Sequence, residues 1–212
     1  MADDRFLSDE AREHYALGQQ LFAAGSYPRS QAHFAKAIKM CPDVVSLHLA
    51  LGKAFLFQKR SDLPKAIRSF VRVVDLNPDW AEGYHWLGVA QEQKGELLDA
   101  VASFEQAIRL APGDTRPLIS LGVCLTRLGK FEAAIRQLRR AMELKPHYGE
   151  ASGRLFLADA LRRNREIEAA CEQWRLILEM PSEYPEYDQE RNEARQLLKK
   201  YQVFQAPEKA RS

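Results

Sequence analysis

Residues 81–114 read AEGYHWLGVAQEQKGELLDAVASFEQAIRLAPGD and hold one complete structural unit. Tyr84, Leu87, Gly88 and Gln91 recur at i, i+3, i+4 and i+7, which is one stripe of an α-helix. Lys94-Gly95 then breaks the stripe at a residue free to take left-handed backbone. A second stripe follows in Ala100, Phe104, Ala107 and Ile108, and Pro112-Gly113-Asp114 stops it. The segment therefore predicts two amphipathic helices joined by a tight turn. Gly88 and Ala100 are small enough for the two helices to approach closely. Phe104 with Ala107 is expected to pack against the following unit.

The same unit recurs on both sides. Prolines stand at Pro42, Pro78, Pro112 and Pro146, at intervals of 36, 34 and 34 residues. Leu-Gly pairs stand at Leu17-Gly18, Leu51-Gly52, Leu87-Gly88 and Leu121-Gly122, with glycines 34, 36 and 34 apart. A small residue follows each glycine: Ser30, Ala66, Ala100 and Ala134, after 12, 14, 12 and 12 residues. The two extra residues of the second unit fall within 57–63, where they lengthen a turn and leave the register of both helices intact. A fixed period of this size is the signature of a stacked repeat protein.

An aromatic, Leu-Gly, a second aromatic, then Ala, Phe, Ala and Pro over 34 residues resembles the tetratricopeptide repeat. The resemblance covers about residues 11 to 148 in four units. A degenerate fifth follows in Leu157-Ala158, Leu161, Ala170, Trp174, Ile177 and Pro181, with Asn164 expected to substitute for the missing turn glycine. The implied fold is all-α, a right-handed α-solenoid of five helix-turn-helix repeats (11–44, 45–80, 81–114, 115–148 and 149–181). A lead-in (1–10) precedes them; a capping helix (182–201) and a flexible tail (202–212) follow. A stacked solenoid needs such a polar end because each repeat contacts only its neighbours.

Composition narrows the function classes. The chain is 46% apolar and 28% charged, the profile of a folded protein, and its net charge of +2 gives no global pull toward nucleic acid or anionic membrane. No apolar run approaches the roughly 20 residues that cross a bilayer, and the first residues do not read as a secretory signal. Three separated cysteines, Cys41, Cys124 and Cys171, without a CxxC pair, fit neither a disulfide framework nor a zinc site. They point to a reducing, cytoplasmic setting. Cys124, among apolar residues, reads as a small buried hydrophobe. The glycines follow the repeat period rather than a phosphate-cradling pattern, and none of His14, His33, His48, His85 and His147 forms a zinc-protease pair. His14 and His48 occupy aromatic positions of the repeat and read as spacers between helices. Neither a catalytic set nor a cofactor is expected.

In the family resembled, the first helices of successive repeats line an inner, concave surface. By register that surface takes Tyr15, Gln19 and Phe22 from the first repeat, and Leu49, Lys53, Leu56 and Phe57 from the second. His85, Trp86, Val89 and Glu92 come from the third, and Ile119, Val123 and Arg127 from the fourth. Family members that clamp chaperone C-termini carry Lys, Asn and Arg where this chain has Tyr15, Gln19, Ala50, Glu82 and Trp86, so that clamp is absent. The apolar lining implies capture of a peptide or helix of another protein, with Trp86 as principal anchor. Trp80 and Trp174 fall at packing positions. Three further readings remain open: packing of these residues within their own repeat or cover by the C-terminal helix, self-assembly through an uncapped first repeat, giving a homo-oligomer, and nucleic-acid binding by arginines between 116 and 165. The arginines lack the interleaved aromatics that single-strand binding uses.

Overall fold

The computed structural model describes residues 7–144, 150–180 and 187–202, and among these the regular elements are helices. The chain divides into two compact units, one ending at Pro112 and the other beginning at Gly113. Pro146, Pro181 and the residues after 202 lie outside the described residues.

The first unit holds three helical hairpins: α1 (Asp9–Ala23) with α2 (Tyr27–Met40), α3 (Val45–Phe57) with α4 (Leu63–Leu76), and α5 (Ala81–Lys94) with α6 (Leu97–Leu110). Short polar side chains set two of the starts. Ser8 accepts from the Ala11 amide at 3.3 Å ahead of α1, and Asp62 accepts from the Lys65 amide at 3.2 Å ahead of α4. Proline occupies the first turn of α2 and α4, where its missing N–H costs nothing. Within each hairpin the Leu-Gly glycine is the seat for a ring from the second helix. A Cβ on Gly52 would stand 2.5 Å from Phe70 Cε1, and one on Gly88 would stand 2.7 Å from Phe104 Cε1. Phe34, Phe70 and Phe104 are sealed from solvent as a result. Phe104 locks its own hairpin through Gly88. The hairpins meet through α2 against α3 and α4 against α5, while α1 touches α3 and α3 touches α5 along the row of first helices.

The second unit contains α7 (Thr115–Arg127), α8 (Phe131–Leu144), α9 (Glu150–Arg163), α10 (Ile167–Glu179) and α11 (Asp188–Gln202). Leu138 fills the seat over Gly122, where a Cβ would approach Leu138 Cγ to 2.5 Å. The α11 helix lies against α10 and α9, with the Tyr201 ring 5.5 Å from Trp174 and Ser152 Oγ donating to Glu190 at 2.7 Å.

The hairpins α1–α2, α5–α6 and α7–α8 close through the same turn. The amide at the start of the second helix bonds back five residues: Ser26 N–H to Leu21 C=O at 2.8 Å, Glu96 N–H to Gln91 C=O at 2.9 Å, and Lys130 N–H to Leu125 C=O at 2.9 Å. The second hairpin, with its two extra residues, instead joins Asp62 N–H to Phe55 C=O at 3.1 Å, and Ser61 Oγ donates to Leu56 C=O at 2.7 Å. The turn from α9 to α10 repeats the common closure, Glu166 N–H to Leu161 C=O at 2.9 Å, but its left-handed residue is Arg165 (φ 68°). The expectation that Asn164 takes this role is corrected. Asn164 caps the helix through its amide to Ala160 C=O, and its side chain donates to Glu166 Oε1 at 2.7 Å.

Candidate functional site: an aromatic ridge and cleft on the first unit

Three rings from three successive first helices meet edge to face. Phe22 of α1 stands 6.0 Å from Phe57 of α3, and Phe57 stands 5.7 Å from Trp86 of α5, at interplanar angles of 81° and 75°. Such T-shaped pairs place a positive ring edge on a negative ring face and favour one another beyond the area they bury. The ridge is held from beneath: Trp86 stacks on the buried Phe70 ring at 6.3 Å, and Tyr27 supports Phe22 at 5.3 Å. Phe57 stays 46% exposed, because the helix ends there and nothing covers its outer face among the described residues.

Beside the ridge lies a cleft of about 220 Å³ lined by Tyr15, Gln19, Phe22, Ser46, Leu49 and Lys53. Lys53 bridges cleft and ridge. Its ammonium pairs with Glu82 at 3.0 Å and sits 4.6 Å over the Trp86 ring, while the Trp86 indole N–H donates to the same Glu82 carboxylate at 3.1 Å. One carboxylate thus fixes the position of both the cation and the ring.

Five of the residues assigned by register, Tyr15, Gln19, Phe22, Leu49 and Lys53, converge on the cleft; Phe57 and Trp86 join through the ridge. Three residues of the register set turn inward. Leu49 is 9% exposed, Leu56 2% and His85 7%. Leu49 forms only the floor of the cleft, and Leu56 packs in the core with Phe70, Val73 and Leu87. His85 lies against Phe104 at 6.0 Å. The reason is rotational: the apolar stripe of a first helix is wider than its groove face, so its flank seals the hairpin. Val89 is half-buried against the same core, and Glu92 is half-buried near the end of α5. Ile119, Val123 and Arg127 stand on α7 in the second unit, the first two half-buried and Arg127 exposed.

Of the side chains read as packing groups, Trp174 and Cys124 are buried and Trp80 is half-buried against the core of the second hairpin. His48 touches the Pro42 carbonyl at 2.7 Å, and burial holds its imidazole below the ordinary histidine value despite that contact. His14 of α1 meets His33 of α2, a pairing that sequence reasoning missed because the residues are 19 apart and on different helices. Burial pushes the Cys171 thiol up, away from the reactive thiolate. In the arginine-rich half, Arg163 pairs with Asp159 at 2.8 Å, Arg162 pairs with the same carboxylate, and Arg154 donates to Gln173. Lys145 lies outside the described residues. Among the described residues no helix is long and apolar enough to cross a membrane, and no cluster of three or more His, Cys, Asp or Glu could hold a metal ion.

Models of the tetratricopeptide repeat match residues 15–63, 56–115 and 91–152. The chain belongs to the tetratricopeptide-repeat family. This tetratricopeptide-repeat chain is 32% identical over 109 residues to the Hsp70-Hsp90 organizing protein of Triticum aestivum, a match covering 51% of this chain and 18% of that protein. It spans about a fifth of the length of the first curated relatives it matches. Among solved structures it is similar to MamA 41-end from Desulfovibrio magneticus RS-1, with a TM-score of 0.75 at 18% identity over 84% of this chain and 99% of that one. TTC0263, a thermophilic TPR protein in Thermus thermophilus, gives a TM-score of 0.67 at 22% identity over 89% and 98%. These structural likenesses show the fold.

Proposed function

We propose that this chain is a protein-interaction scaffold whose first unit captures an apolar segment of a partner, an extended peptide or one face of an amphipathic helix. The observation that carries the reading is the Phe22–Phe57–Trp86 ridge beside the cleft. Contiguous exposed apolar surface marks contact sites, and aromatic anchors supply much of the binding energy at such sites. Lys53 and Glu82 are already paired to each other, so they orient polar groups at the rim rather than offering a free charge. The cleft has room for one or two aliphatic side chains, which suits anchors spaced a helical turn apart. The wheat relative is by its name an organizer of two proteins, which accords with a scaffold. The positions of the chaperone-terminus clamp nevertheless hold Tyr15, Gln19, Ala50, Glu82 and Trp86, so the anchors here are apolar.

The test is selection from a displayed random-peptide library on the intact chain, with Phe57→Glu as the counter-bait. Phe57 is exposed, so this change leaves the core untouched. Peptides bearing Leu or Phe anchors that bind the wild type and lose at least tenfold on Phe57→Glu support the reading. Peptides that bind both proteins equally move the contact off the ridge and sink it. Leu56→Glu is unsuitable as a site probe, since it forces a carboxylate into the core and unfolds the hairpin.

A further inference from the structure

The first hairpin carries a pair of imidazoles that partner capture does not use. His14 on α1 and His33 on α2 present their Nδ1 atoms to each other at 3.2 Å, with ring centroids 5.2 Å apart and planes at 62°. As a hydrogen bond this contact is long, at the upper end of the usual N–H range. As a chelate bite it fits well. Two imidazole nitrogens bound at the usual distance of about 2.0–2.1 Å lie about 2.9 Å apart at a right angle and about 3.4 Å apart at the tetrahedral angle.

We infer that His14 and His33 form a two-imidazole site for a divalent transition-metal ion, Zn²⁺, Ni²⁺ or Cu²⁺, with water completing the coordination. Imidazole is a preferred ligand of these ions. The pair is also pre-positioned. Gly18, one turn after His14, is the seat of Phe34, the residue next to His33, and the Tyr15 ring lies 5.9 Å from Phe34. The packing that closes the hairpin therefore sets the distance between the ligands. Both histidines are half-buried, which leaves room for water on the metal's open side. Arg29 and Lys36 act on His33 as like charges to a bound cation, but both side chains are exposed and screened. No covalent bond to carbon changes. The ring that holds its proton on Nδ1 transfers it to Nε2 through solvent, both Nδ1 lone pairs go to the metal, and two waters leave the ion.

The experiment is a calorimetric titration of the chelator-treated full chain with zinc chloride, paired with thermal melts in zinc and in EDTA. One equivalent taken up, with a melting temperature raised by zinc and restored by EDTA, is the expected result. His14→Ala and His33→Ala should each weaken uptake at least tenfold, whereas His48→Ala should leave it unchanged. Uptake equally tight in the His14→Ala/His33→Ala double variant, or no saturable heat at millimolar zinc, overturns the site. Helical circular dichroism in EDTA checks that the variants fold. A second readout needs no variant: zinc should shift the Nδ1 nitrogen resonances of two histidines in the wild type, and unmoved histidine signals refute the proposal.

Discussion

The third and fifth hairpins solve one closure problem with different residues. In the third, Gly95 takes φ 90° and the Glu96 amide reaches back to Gln91; in the fifth, Arg165 takes φ 68° and the Glu166 amide reaches back to Leu161. In the third, Phe104 settles on Gly88; in the fifth, Trp174 follows Ala158 at the same 16-residue spacing, and its indole N–H is buried without an acceptor among the described residues. The backbone path is common to both, so the hydrogen-bond closure and the helix approach define the repeat. Residue identity sets the cost. The fifth hairpin carries two small penalties the third avoids: a side chain in left-handed backbone, and an unsatisfied donor.

Substitutions in these two hairpins, and at the lengthened second turn, differ in their expected effect on urea unfolding. Phe104→Ala should lose about 3–5 kcal/mol, because it empties a fully buried ring site. Trp174→Phe should lose less than half of that, since the N–H it removes has no partner; an equal loss would show that the indole is satisfied after all. Next comes Gly88→Ala, expected to cost about 1–3 kcal/mol as the new methyl meets the Phe104 ring. If Gly88→Ala proves neutral, the ring can withdraw and the seat is not a lock. Asp62→Ala should cost about 1 kcal/mol by removing the cap of α4 after the long second turn. Hydrogen bonding to Lys65 holds the Asp62 carboxyl below the ordinary aspartate value of 3.8. The cap's contribution is therefore complete above that pH and fades as pH falls through the lower folded value, which a pH series of melts on wild type and Asp62→Ala would read. The smallest effect is a gain. Arg165→Gly should stabilise by about 0.5 kcal/mol, whereas Gly95→Ala should destabilise by about 1 kcal/mol, the same preference read in opposite directions.

Much of this was legible in the chain. Gly25, Gly95 and Gly129 each precede the small residue Ser30, Ala100 or Ala134 by five positions. The same count back from Ala170 reaches Arg165, so the spacing held the signal for the left-handed residue, and residue type pointed one position away, to Asn164. The lining was legible only in part. Tyr15, Gln19, Phe22 and Lys53 follow from helical register, but Leu56 and His85 lie on the same register and turn into the core. A period of 3.6 gives the stripe, and the neighbouring helix decides which flank of it is sealed. The Asp62 cap and the Phe55–Asp62 closure are likewise specific to the one lengthened turn, where no other repeat provides a template.

Sequence alone determined the helices, their pairing into hairpins and the family, because these rest on local periodicity and on glycines and prolines whose backbone preferences act within a few residues. The Phe22–Phe57–Trp86 ridge, the Lys53–Glu82–Trp86 lock and the His14–His33 pair arise from the packing of helices. Each depends on direct contacts between different helices, across 19 to 35 residues of chain. Ångström-scale separations of that kind come from how helices pack, and a pattern of residue types carries no distance.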